Sequence, residues 1–338
     1  MNDLKALPIR NLQATADPAT SGITGERFAE VALLRNAACA GCPVGCIHIG
    51  FVRERFKEEN RYIYRQISYD HELIFAVGSM LGVMDCFEVL KLIDVAEKMG
   101  LDVMSPGVAL AWATEALARG VITKKETLVP LQFGNSASYQ EALQYMAYGT
   151  NEFYQLLSQG TAKAAERYGG GDFACVLGQE MAGYATGETF FVSQALGLRH
   201  SHLDAAGYSY DQKPKGKTVE DAVKFLVQDE QGRVFLTSMV ACLFARSVYT
   251  DELLANCLKS IGYGTLAENM TQVSKEIQKL RWRMRVGTGF RPEQVSIPKR
   301  FSEITTWKGP VDLQFMEALK TGYAKGILDL AGITGGEK

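Results

Sequence analysis

The sequence predicts a largely α-helical protein, and three observations carry that prediction. From Asp70 onward, apolar residues recur at helical spacing, as in Leu73, Val77, Met80 and Leu81. Candidate helix starts carry Asp, Ser, Thr or Asn, and candidate stops carry glycine. Few segments show the period-two alternation of a half-buried strand.

The elements follow in order. Residues 1–25 read as a connecting segment, interrupted by Pro8, Pro18 and Gly22. The run from Thr24 to Leu34 reads as a short helix leading into a cysteine-rich loop. The stretch from Ile49 to Tyr69 is mixed and mostly polar, and is expected to be irregular. Between Glu88 and Met99, Val89, Leu92, Ile93 and Ala96 share one helical face. Pro106 suits the first turn of a helix running to Arg119, with Gly120 as its stop. Ser138 is expected to cap a helix through Met146, and Asn151 one through Arg167 that Gly169 ends. Further helices are expected over 218–228 and 251–260, and the longest over 266–284. The expected domains are a helical unit over 26–170 and a second over 171–338.

Composition narrows the function. With 338 residues the chain can build two or three compact units. Hydrophobic residues are 47% and charged residues 22%, as in ordinary globular proteins. A net charge of -2 gives no reason to expect nucleic acid or an anionic membrane as a partner. No apolar run reaches the ~20 residues that a bilayer span needs. Met1-Asn-Asp-Leu-Lys5 has no apolar signal core, so a cytoplasmic location is expected. Thiols stay reduced there, and clustered cysteines read as a metal site rather than as disulfides.

That cluster is Cys39-Ala-Gly-Cys42-Pro-Val-Gly-Cys46. C-x2-C-x3-C spacing can aim three thiolates at one point, and soft thiolates select iron–sulfur clusters or zinc. Gly41 and Gly45 open backbone angles closed to other residues. A fourth thiolate would come from Cys86, Cys175, Cys242 or Cys257, each of which also reads as a small buried hydrophobe. His48, two residues past Cys46, keeps a three-thiolate, one-imidazole zinc site open. Arg199-His200-Ser201-His202 follows the small-residue segment Gly183-Tyr-Ala-Thr-Gly187, a setting suited to a pocket rim or to plain packing. Glu72 opens an apolar helix, where an acid can also simply serve the positive N-terminus. Gly100-Leu-Asp102 reads as a helix stop and cap, or as a close backbone approach to a bulky ligand.

Taken together, five segments resemble the tungsten-containing aldehyde ferredoxin oxidoreductases. They are Cys39-x2-Cys42-Pro-x2-Cys46, Gly78-Ser-Met-Leu-Gly82, Glu97-Lys-Met-Gly-Leu-Asp102, Thr237-Ser-Met-Val-Ala-Cys242 and Ile297-Pro-Lys-Arg-Phe301. The resemblance runs along nearly the whole chain and implies the two helical domains of that fold. It implies a [4Fe–4S] cluster on Cys39, Cys42, Cys46 and Cys242, beside a tungsten or molybdenum bis-pterin. It places pterin contacts at Glu97, Gly100, Leu101 and Asp102, and at Thr237, Ala241 and Leu243. The family patterns are D-x-x-G-L-D and D-x-x-G-L-C. Glu97 departs from the first, and Thr237 and Val240 from the second, which leaves the second motif without the carboxylate of the family pattern.

By the same resemblance, Glu72 and His202 are the active-site acid and histidine, with His200 as the fallback. The implied reaction is oxidation of an aldehyde to a carboxylate, with electrons passed through the cluster to ferredoxin. The implied partners are ferredoxin or another iron–sulfur carrier and a β-rich domain or subunit covering the pterins, and a homodimer is compatible. The altered second motif also points toward the tungsten subunits of benzoyl-CoA reductases. Readings of another class are an iron–sulfur electron-transfer subunit without its own substrate, and a zinc-stapled scaffold.

Overall fold

A computed structural model describes residues 1–42, 44–56, 61–213 and 218–333. The protein is mainly helical, with one small sheet of consequence. It divides into two compact units. The first comprises Met1–Thr186 with Pro298–Val311, and the second Gly187–Ile297 with the chain from Asp312 onward.

The first unit opens with the stretch expected as a connector, and residues 1–25 are instead part of its core. Ala6, Ile9 and Leu12 are fully buried. Arg10 and Asn11 donate their backbone N–H groups to Ser79 O and Met80 O, at 2.9 and 3.0 Å. Helix α1 (Gly25–Val31) leads to strand β1 (Leu33–Ala37). The stretch expected to be irregular forms a long antiparallel hairpin, β2 (Ile47–Phe56) and β3 (Arg61–Tyr69). Its register runs from His48 opposite Tyr69 to Phe56 opposite Arg61. The charged residues that hid the alternation are themselves cross-linked. Arg65 bridges Glu54 at 3.3 Å and Asp94 at 2.8 Å, pinning the hairpin to helix α3 (Cys86–Lys98).

Helix α2 (His71–Ile74) begins where Asp70 accepts the N–H groups of Glu72 and Leu73. It runs into a π-helical turn, Phe75–Ser79, every residue of which is buried. Behind that turn lies helix α4 (Met104–Ala118), buried continuously from Pro106 to Ala116. A helix apolar all round belongs at the centre of a core. A Cβ on Gly107 would come within 2.7 Å of the Ala76 backbone, so only glycine lets α4 approach the turn this closely. One charge on α4 is buried, and it is paired: Glu115 takes Arg300, Arg119 at 2.5 Å and the Asn11 amide at 2.6 Å.

The unit continues through α5 (Lys124–Thr127), α6 (Ser136–Tyr148), α7 (Glu152–Leu157) and α8 (Thr161–Tyr168). Asn135, rather than Ser138, caps α6. Asn151 caps as expected, but its helix breaks at Gly160, whose φ of 116° no α-helix accepts. A minimal pair, β4 (Thr305–Thr306) and β5 (Gly309–Pro310), lies on the Pro298–Val311 segment.

The second unit contains α9 (Glu188–Ala195), α10 (Gly207–Asp211), α11 (Val219–Ser238), α12 (Asp251–Ser260), α13 (Gly264–Glu268), α14 (Met270–Gly287) and α15 (Leu313–Ala331). Thr218 caps α11, which runs ten residues past its expected end and, at 20 residues, is longer than α14, the 18-residue helix within the interrupted 264–287 stretch. Helices α11, α14 and α15 pack on one another. Trp282, Tyr323 and Ile327 are fully buried in this unit. Helices α9 and α15 were not among the expected elements: α9 is buried all round, so its pattern has no polar face, whereas α15 buries Met316, Leu319, Tyr323 and Ile327 at helical spacing. The boundary expected after residue 170 lies at Thr186, because helix α8 and the Gly171–Phe173 turn stay with α4.

Candidate functional site

The cysteine loop joins β1 to β2. Cys39 and Cys46 are exposed and Cys42 is half-buried. Cys42 N–H donates to Cys39 O at 3.0 Å, closing a turn. Gly41 and Gly45 sit at φ +73° and +64°, and a Cβ on either would meet nothing within 4 Å. Pro43 lies outside the described residues. The loop therefore presents three accessible thiols around open space. Among the described residues, no three His, Cys, Asp or Glu side chains are already drawn together as a metal cage.

The remaining four cysteines separate by burial. Cys86 Sγ lies 3.1 Å from Gly22 O, and Cys175 Sγ lies 3.5 Å from Asn11 O, each positioned to donate. Burial pushes the Cys86 thiol up to about 11, with the Asp85 carboxylate adding to the shift. Burial raises Cys175 further. Metal ligation requires the thiolate, so both are poor ligands. Cys242 and Cys257 are exposed. His48 sits in β2 with its ring 5.5 Å from that of Tyr69, a packed strand residue. The donor set, soft accessible thiols in a loop freed by glycine, fits a cluster.

The two candidate pterin segments are both helix C-termini with one backbone design. At the end of α3, Leu101 N–H donates to Ala96 O at 3.0 Å and Gly100 N–H to Glu97 O at 3.1 Å. At the end of α11, Ala241 N–H donates to Leu236 O at 3.1 Å and Val240 N–H to Thr237 O at 3.1 Å. Each is a 6→1 cap with a left-handed residue, Gly100 at φ +71° and Val240 at φ +58°. The caps leave Glu97 and Asp102 exposed, and Asp102 accepts Ser105 N–H at 2.8 Å. Space beyond Gly100 is open. At the second end, Thr237 turns its hydroxyl back to Arg233 O at 2.9 Å, so no carboxylate replaces the one the family pattern carries there. Leu243, one residue past Cys242, helps line a cavity of about 670 Å³ with Phe235, Leu236, Arg246 and Lys275. Taken separately, the α3 end offers two exposed carboxylates, and the α11 end offers backbone groups and the exposed Cys242 thiol.

Glu72 lies in the first turn of α2, half-buried, with His71 Nε2 4.0 Å from its carboxylate. His71 Nε2 is also 2.7 Å from the Tyr184 hydroxyl. Each half of that pair stood in a segment singled out above, but 113 positions separate them, and no sequence pattern joins them. His202 is half-buried, its ring edge-on to Tyr208 at 6.3 Å. His200 is committed elsewhere. Arg285 donates to its Nε2 at 2.8 Å, so its Nδ1 must carry the proton and donate to Ala195 O at 3.0 Å. Burial lowers its pKa, and both ring nitrogens are used. Of the predicted residues, Glu72, Glu97–Asp102 and Cys39–Cys46 belong to the first unit, and His202, Thr237, Ala241, Cys242 and Leu243 to the second.

Comparison with known proteins gives a consistent picture. The family model described as aldehyde ferredoxin oxidoreductase, domains 2 and 3, matches residues 1–333. Tungsten-containing aldehyde ferredoxin oxidoreductases of Pyrococcus furiosus and Pyrococcus horikoshii are 23% and 25% identical to this chain; each match covers 92% of it and 52% of the relative. A WOR-like subunit of an aliphatic sulfonate oxidoreductase from Pyrococcus furiosus is 27% identical over 37% of the chain. Among solved structures, the active-site complex BamBC of benzoyl-coenzyme A reductase with 1,5-dienoyl-CoA has the same fold. Its TM-score is 0.70 at 15% identity, covering 98% of this chain and 59% of that one. The chain belongs to the aldehyde ferredoxin oxidoreductase family as its helical domains 2 and 3, and spans about half the length of the curated relatives it matches.

Proposed function

We propose that this chain forms the helical part of an oxidoreductase that converts an aldehyde to a carboxylate and passes the electrons to ferredoxin. The observation that carries the reading is the sorting of the thiols. The four cysteines that the resemblance assigns to the cluster are solvent-accessible, as is Cys257, while Cys86 and Cys175 are buried and hydrogen-bonded. Cys39, Cys42, Cys46 and Cys242 would hold a [4Fe–4S] cluster, and the ends of α3 and α11 would border a tungsten or molybdenum bis-pterin. When bound, these groups supply the redox chemistry that side chains lack.

The chain's own residues bind, orient and move protons. His202 would donate a hydrogen bond to the substrate carbonyl oxygen, where negative charge builds as the carbon is attacked. Glu72 would take the proton of the attacking water. A β-rich domain or subunit would cover the pterins, as in the family. Thr237 and Val240, which depart from the family pattern, favour a branch near the benzoyl-CoA reductases as the second reading.

Anaerobic production with a candidate β-rich partner tests both. Aldehyde-dependent ferredoxin reduction is expected, with ~10²–10³-fold loss in His202→Ala and ~10²–10⁴-fold loss in Glu72→Gln. Reduction of an aromatic CoA thioester without aldehyde oxidation would select the second reading. The lone chain should not retain stoichiometric tungsten or molybdenum, because a cofactor held on one face keeps its other face in water.

A further inference from the structure

The pair His71–Tyr184 has no part in the function argued so far. It is nevertheless built with care. His71 Nε2 and the Tyr184 hydroxyl are 2.7 Å apart, with the rings stacked at 5.9 Å. Phe75 packs edge-on against both, at 5.7 Å from His71 and 6.1 Å from Tyr184. A Cβ on Gly183 would come within 2.9 Å of the Phe75 ring, so the segment bearing Tyr184 can lie this close only with glycine there. Phe75 opens the π-helical turn, a local departure from α geometry that recurs at functional sites. The same Nε2 faces the Glu72 carboxylate at 4.0 Å. The His71 side chain is 44% exposed and that of Glu72 19%. Among the described residues, Glu72 and Tyr184 are the titratable groups that contact the imidazole, and Asp70 precedes it at the cap of α2.

We propose that His71 is the proton outlet of Glu72, with Tyr184 as the residue that positions its ring. This rests on the reading of Glu72 as the base. A proton taken up by the Glu72 carboxylate passes through one water to His71 Nε2, 4.0 Å away. An N–H bond forms at Nε2 and the Nδ1–H bond breaks, releasing a proton to solvent. Glu72 returns to carboxylate, and the electron count of the chain is unchanged. The arrangement suits this task because one imidazole nitrogen faces the half-buried acid while the ring reaches water. Without an outlet, a half-buried carboxyl that has accepted a proton must wait for solvent to enter the site.

Histidine-selective NMR of the full chain tests the coupling without any cofactor. At a fixed pH, Glu72→Gln and Tyr184→Phe should each change the His71 ring-nitrogen shifts and tautomer ratio, and Tyr184→Phe should leave the fold intact. Ring-nitrogen shifts unmoved by Glu72→Gln overturn the relay. In the assembled enzyme, His71→Ala should lower turnover about tenfold or more, within the range of proton-transfer catalysis, with partial recovery in imidazole buffer. Full turnover of His71→Ala also overturns the relay. Full turnover of Glu72→Gln, with the ring-nitrogen shifts changed, instead overturns Glu72 as the base and leaves the coupled pair supported.

Discussion

Replacing Val240 by glycine should stabilise the second unit. Val240 closes α11 at φ +58° and its side chain is 93% exposed. A branched residue in the left-handed region carries a steric penalty of roughly 1–2 kcal/mol. The exposed side chain returns almost no burial energy in exchange. Glycine removes the penalty but adds freedom to the unfolded chain, which costs about 0.4–1 kcal/mol. The net gain is about 1 kcal/mol, or a Tm rise of ~2–4 °C. The twin cap at Gly100 supplies the control. It has the same hydrogen bonds, sits at φ +71°, and faces open space, so Gly100→Val should lose about 1 kcal/mol, the same strain less the unfolded-chain freedom it removes. Differential scanning calorimetry with urea titration measures both. A lower Tm for Val240→Gly, or an unchanged one for Gly100→Val, would refute the reasoning that left-handed strain governs these ends. Val240→Gly also restores the glycine of the family pattern, so cofactor retention in the assembled enzyme should be equal or better.

The other predictions concern thiols and buried charge. Anaerobic reconstitution should give about four irons per chain, the content of one cubane; Cys242→Ala should lower it strongly, and Cys86→Ala and Cys257→Ala should not. Equal loss in all three would sink the ligand set. Glu230 accepts Gln278 Nε2 at 2.6 Å and Trp282 Nε1 at 2.8 Å, and burial pushes its pKa up to about 7. Its folded pKa lies above its unfolded one, so its stability contribution is complete below pH ~4.5 and is lost as pH rises through about 7. Glu230→Gln keeps an acceptor oxygen and should flatten that slope in urea titrations between pH 4.5 and 8; an unchanged slope would mean the carboxyl is ionised in the fold. Glu115→Ala should destabilise the first unit by about 3 kcal/mol, because buried Arg300, 6% exposed, would keep only the Glu303 carboxylate, 4.0 Å away. A loss below 1 kcal/mol by calorimetry would show that water reaches Arg300.

The sequence by itself determined the helical class, most helix starts and the cysteine loop, because these are local. Asp70, Asn151 and Thr218 cap the helices they announce, since a cap needs only a side chain two or three residues from the N–H it accepts. The spacing of Cys39, Cys42 and Cys46 is visible without any fold. The hairpin over Ile47–Tyr69 was not legible, because each strand's hydrogen bonds lie on the other strand and its charges are neutralised by α3. Tertiary structure alone decided which lone cysteines are buried, since burial depends on what Gly22 and Asn11 bring against Cys86 and Cys175. It alone showed that Arg285 occupies His200, 85 positions away, and that Tyr184 reaches His71. A hydrogen bond over such a distance leaves no period in the chain. It exists only once packing has brought the two residues together.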